Sequence, residues 1–189
     1  MPILILNITG NSLKFENQFC DDLKKRLGDL PCVIKHRIST QLLEYKEIID
    51  DNYKIVIILS HTWKCDDGTI MLNTGLKEDF VSLTSVDEQN SITILTQTLN
   101  YNRCKFIIFF CACEMFSNNL IMKMVTGDNL IGKIASSQTI NADYISVIAQ
   151  VIRESYDCII KELTDNDKRS CIKQIVNKYS RIFKFEFLD

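Results

Sequence analysis

Glycine and proline are scarce: the 189 residues hold six of one and two of the other. Linkers and repeated turns draw on both, so a flexible tether between two domains is not expected. Collagen-like and low-complexity architectures are excluded on the same ground. Long apolar runs are also missing. No stretch of eighteen exists, so no membrane-spanning helix is expected. Basic excess is absent too: Lys and Arg number 22 against 24 Asp and Glu, for a net charge of −2. A nucleic-acid surface is therefore not expected. The stretch Met1–Asn7 has no basic leader or small-residue cleavage site, and reads as a first strand rather than a signal peptide. We expect a cytoplasmic protein. There, eight cysteines read as reduced thiols, ligands or one nucleophile rather than a disulfide frame. The apolar fraction of 46% suffices for a sizeable core in a single domain over 1–189.

Six apolar blocks read as strands: Ile3–Ile8, Cys32–Ile38, Lys54–Ser60, Lys105–Cys111, Asn129–Ser136 and Ile182–Leu188. The third and fourth contain Ile55-Val56-Ile57-Ile58-Leu59 and Phe106-Ile107-Ile108-Phe109-Phe110. Unbroken apolar runs mark strands buried on both faces, as in a central parallel sheet. Between the blocks lie helical patterns. Phe15, Phe19, Leu23 and Leu27 repeat every four residues, with Ser12 placed to cap them. Leu42, Tyr45, Ile48 and Ile49 mark a second helix, and Ile92, Leu95 and Leu99 a third. Tyr144 to Ile159 and Ile172 to Tyr179 supply two more. The alternation predicts a doubly wound, three-layer α/β fold with a mainly parallel sheet of about six strands. Cys65-Asp66-Asp67-Gly68-Thr69 is a turn within a small hairpin beyond the third strand.

Ligands of open α/β sheets bind beyond the carboxyl ends of the strands. The third block runs into Ser60-His61-Thr62, and the fourth into Ala112-Cys113-Glu114. If the two strands are neighbours, one imidazole and one thiol emerge side by side. An imidazole can generate and orient a thiolate, the nucleophilic form of cysteine. Single cysteines are usually core residues, and Cys20, Cys32, Cys104, Cys158 and Cys171 read that way or as surface thiols. His36 reads as a solvated strand residue. Cys111 and Cys113 together suggest a metal or redox pair, but one intervening residue is a poor spacing for a strain-free disulfide, and zinc would need two further ligands, for which Cys104 or His61 could serve. Thr9-Gly10-Asn11 lacks phosphate-loop spacing. Neither metal nor cofactor is expected.

Together these residues resemble the caspase-like cysteine peptidases, a group that includes caspases, metacaspases and CHAT-type domains. Ile57-Ile58-Leu59-Ser60-His61 is similar to the histidine strand of caspases. Asp67-Gly68-Thr69-Ile70-Met71 sits where that family has a hairpin. Ala112-Cys113-Glu114 resembles the nucleophile segment of the CHAT branch, and Cys113 lies 52 residues after His61. Ile134 to Thr139, followed by Ala142-Asp143, resembles the substrate strand of metacaspase-like relatives. The resemblance implies a cysteine endopeptidase acting on a protein or peptide, in a regulatory, cell-death or defence pathway. It implies Cys113 as nucleophile and His61 as acid/base. The backbone N–H groups of Cys113 and Thr62 would form the oxyanion site. Cys111, Ser136, Ser137 and Gln138 would contact substrate lying extended along 133–138. It also implies a homodimer through the Ile182–Leu188 strand. Thr62 stands where the family has glycine, Cys111 stands where caspases have glutamine, and no arginine lies near Ser136-Ser137-Gln138, so cleavage after aspartate is not implied. Two alternatives belong to other classes. Thr62 in the glycine position suits a catalytically inactive interaction or decoy module. A TIR-like NAD hydrolase would need a carboxylate at the sheet edge, for which Glu114 is the candidate.

Overall fold

The computed structural model describes residues 2–8, 14–36, 52–64, 70–72, 93, 96–97, 99–117 and 119–187. The expected helix at Leu42–Ile49, the Ser12 cap, the 65–69 turn and most of the helix marked by Ile92, Leu95 and Leu99 lie outside them. Eight strands are described: β1 (Ile3–Asn7), β2 (Cys32–His36), β3 (Ile55–Leu59), β4 (Thr62–Lys64), β5 (Ile70–Leu72), β6 (Phe106–Cys111), β7 (Leu130–Ser136) and β8 (Phe183–Phe187). Four α-helices accompany them: α1 (Lys14–Leu27), α2 (Asn119–Met124), α3 (Ile145–Ile160) and α4 (Asp165–Lys178).

The main sheet has six strands in the order β2-β1-β3-β6-β7-β8. All neighbours are parallel except β7 and β8. The expected sheet is therefore present, and each of its strands matches an apolar block to within two residues. β4 and β5 pair antiparallel as the expected hairpin beyond β3. The unbroken runs of β1, β3 and β6 explain why these strands sit centrally. Ile3, Ile5, Ile55, Ile57, Ile107 and Phe109 face a core shared with α1, α3 and α4. Alternate residues Leu4, Leu6, Val56, Ile58, Ile108 and Phe110 face a second core with Met115, Met122 and Val125. Full burial of such a side chain contributes about 1.5–3 kcal/mol.

β8 closes the sheet by alternation. Phe183 is fully buried and meets the Phe109 ring edge-on at 5.1 Å, while Lys184 on the other face is exposed. α4 starts at Thr164, whose hydroxyl accepts from the Asp167 N–H as an N-cap. Arg153 on α3 donates to the carbonyls of Arg26 and Leu27 at the C-terminal end of α1, tying the two helices together.

Two expectations need correction. Cys158 and Cys171 are not free thiols: they form a disulfide between α3 and α4, with Cα atoms 6.1 Å apart. The short connection between the helices folds α4 back on α3 and brings the pair within bonding range. His36 is not simply solvated. It is half-buried, and its Nδ1 lies 3.2 Å from the amide nitrogen of buried Asn7, which also donates to Asn17.

Candidate active site

β3 and β6 are adjacent and parallel, with Leu59 opposite Cys111. Both strands end at the same edge, and the next residues turn outward together. Ser60 N–H donates to the Cys111 carbonyl at 3.3 Å, extending the ladder by one step. His61 and Cys113 then line one small cavity of about 50 Å³ with Phe19, Leu59, Ser60, Cys111, Ala112, Ile140 and Asn141. The floor is apolar, and the polar groups stand at the strand ends. His61 and Cys113 thus share a cavity at the sheet edge where ligands of open α/β sheets bind.

Backbone contacts hold Cys113 on several sides. Its sulfur accepts from the Ile140 N–H at 3.4 Å and lies 3.7 Å from the Ile140 carbonyl. Its own carbonyl accepts from the Thr62 hydroxyl at 2.7 Å. Glu114 follows with φ of 49°, a left-handed conformation that non-glycine residues rarely adopt. That turn lets Glu114 N–H donate to the Gln138 carbonyl at 3.0 Å, beyond the end of β7. A strained residue fixed on both sides of a strand-end cysteine is the kind of feature found at functional sites.

The other thiols differ. Burial pushes the Cys111 thiol well up, although its surface reaches the cavity floor. Burial also raises Cys32, to about 11, and Cys104. Cys104 donates to the Tyr53 carbonyl at the opposite end of the sheet. It therefore cannot join Cys111 and Cys113 around a metal. Among the described residues no three His, Cys, Asp or Glu side chains gather as metal ligands.

The expected substrate strand requires correction. β7 is paired with β6 on one side and with β8 on the other, the latter register running from Gly132 to Ser136. Ser137 N–H continues this side by donating to the Ile182 carbonyl. Ser136 is fully buried, and its hydroxyl donates to the Gln138 carbonyl. No edge is left along 133–137 for an added strand, so Ser136 is structural. Gln138 Nε2 donates to the Tyr144 hydroxyl, directing that side chain toward α3. Among the described residues, Ile140 and Asn141 are the ones beyond β7 that reach the cavity. The sequence reading missed both, because nothing in their residue types marks them.

No protein-family model and no curated protein matches this chain. Among solved structures, the chain is similar to the crystal structure of drICE, a caspase. That alignment covers 98% of this chain and 86% of the other, with a TM-score of 0.50 and 15% identity. No described helix is long and apolar enough to cross a membrane. With its six-stranded, mostly parallel sheet flanked by helices, the chain has a caspase-like fold.

Proposed function

We propose that this chain is a cysteine endopeptidase with a Cys113/His61 dyad. One observation carries the reading: the two residues follow the carboxyl ends of neighbouring parallel strands and line the same cavity. In the reaction, the Cys113 thiol passes its proton to His61 while its sulfur attacks the peptide carbonyl carbon. The resulting oxyanion is held by the backbone N–H groups of Cys113 and Thr62. His61 then protonates the departing amine, and water hydrolyses the thioester with His61 as base. No cofactor or metal is required. Substrate lies across the mouth of the cavity, against Ile140 and Asn141, rather than along β7. No carboxylate or guanidinium lines the cavity among the described residues. The apolar lining groups Phe19, Leu59, Ala112 and Ile140 favour an uncharged side chain there. The wider proposals are that the chain is cytoplasmic, that it cleaves a protein in a regulatory, cell-death or defence pathway, and that it forms a homodimer through β8, the last strand of the described sheet. Cleavage of peptides by the purified chain, compared with Cys113→Ala and His61→Ala, tests the reading.

A second reading has its own support. The Thr62 side chain occupies the position where glycine is expected and bonds to the Cys113 carbonyl. On that reading the chain is an inactive module that binds a partner without turnover. Partner binding that survives Cys113→Ala, with no proteolysis by the wild type, would favour it.

A further inference from the structure

Lys133 is the one charged residue of β7, flanked by Ile131, Gly132, Ile134 and Ala135, and it is fully buried. Its Nζ donates to the carbonyls of Met122 and Val125, the latter at 3.2 Å, at the C-terminal end of α2. Carbonyls at a helix C-terminus carry partial negative charge and lack partners within the helix. Lys133 supplies them. On its other side it faces Glu186, directly opposite on β8, with Nζ and Oε2 3.7 Å apart. Burial lowers the affinity of this amine for its proton, and Glu186 opposes that shift.

The helix so held is the one that follows the nucleophile. The chain leaves Cys113, turns at Glu114, passes through Met115–Ser117 and enters α2. Its start is fastened to the β7 side by the Glu114 N–H to Gln138 carbonyl bond. Its end is fastened to β7 by Lys133. We propose that Lys133 is a positioning residue for Cys113: its buried ammonium anchors the far end of segment 114–125 to the sheet and so fixes the nucleophile turn beside Ile140. This rests on Cys113 being the reactive thiol.

The experiment compares wild type, Lys133→Met and Glu186→Gln by amide hydrogen exchange and by iodoacetamide labelling of Cys113 across pH 6–9, with Cys32 as internal reference. Hydrogen bonds to a charged group are worth enough that Lys133→Met should speed exchange in 114–125 about tenfold or more. The same variant should shift the Cys113 labelling rate about threefold or more and change its pH profile, effects on the order of one hydrogen bond. Glu186→Gln keeps the Lys133 amine as a donor to both carbonyls and should leave Cys113 labelling as in wild type. If Lys133→Met does not fold, Lys133→Gln, which keeps a donor without charge, must show the same confined acceleration. Exchange that rises evenly over β6 and β7, with Cys113 labelling unchanged, would overturn the proposal and leave Lys133 as a core residue only. If wild-type Cys113 is no more reactive than Cys32, the peptidase reading fails, while the exchange pattern still reports on the anchor.

Discussion

The Thr62 hydroxyl donates a hydrogen bond to the carbonyl oxygen of Cys113 at 2.7 Å. It bridges the first residue of β4 and the turn that carries the thiol, 51 positions apart in sequence. The bond holds the peptide entering Glu114, whose left-handed φ needs such support. Thr62→Val keeps the shape and removes the donor. It should cost about 1 kcal/mol and alter Cys113 labelling, while Thr62→Ser should keep both near wild type. Urea denaturation and iodoacetamide kinetics check this. Equal behaviour of Val and Ser would show that the hydroxyl does nothing there.

Thiol reactivity should be selective. Burial raises Cys32, Cys104 and Cys111, so each holds little thiolate near neutral pH. For a thiol the charged form is the deprotonated one, so their labelling should climb only as pH approaches the raised values. Cys113 opens onto the cavity with His61 and should label first between pH 6 and 9. Mass spectrometry of partially alkylated protein reads the order. Cys32 or Cys104 labelling before Cys113 would contradict the assignment.

The Cys158–Cys171 disulfide closes a short loop, 13 positions from end to end. Loop-closure entropy for such a loop corresponds to about 3 kcal/mol. Reductant should therefore lower the melting temperature of wild type and leave a Cys158→Ala/Cys171→Ala double variant unaffected. Differential scanning fluorimetry with and without dithiothreitol measures this. An identical reductant effect in both proteins would place the stabilisation elsewhere.

Phe183 carries much of the attachment of β8. It is fully buried and stacked edge-on with Phe109. Phe183→Ala should cost about 3–5 kcal/mol and loosen β8 from β7, as read by hydrogen exchange along 183–187. Exchange there that stays as slow as in wild type would show that the β7 ladder alone holds the strand.

Sequence patterning revealed the sheet because burial on both faces writes itself as continuous apolar runs. β1, β3 and β6 were legible for that reason, and α1, α3 and α4 because one apolar face repeats with helical period. That His61 and Cys113 come to one cavity was legible because each lies two residues past such a run. What stayed hidden depends on contacts between distant segments. Cys158 and Cys171 meet only because α4 folds back on α3. Lys133 stands out as a charge in an apolar strand, yet its partners at 122 and 125 lie on a helix whose placement the sequence does not show. The substrate reading of 133–138 failed because apolar alternation in β8 says that it is a strand, not which neighbour it pairs with. It pairs with β7 and fills the edge.

The central claim is the dyad, and the most direct measurement is cleavage of a diverse peptide library by wild type, Cys113→Ala and His61→Ala, with new termini identified by mass spectrometry. Wild type should make a defined set of cleavages, with an uncharged residue on the acyl side of the cut bond. Each variant should lose activity by about a hundredfold or more, the scale of removing a nucleophile or its acid/base partner. Cleavage that persists at the wild-type rate in either variant, or no cleavage by the folded wild type, would contradict it.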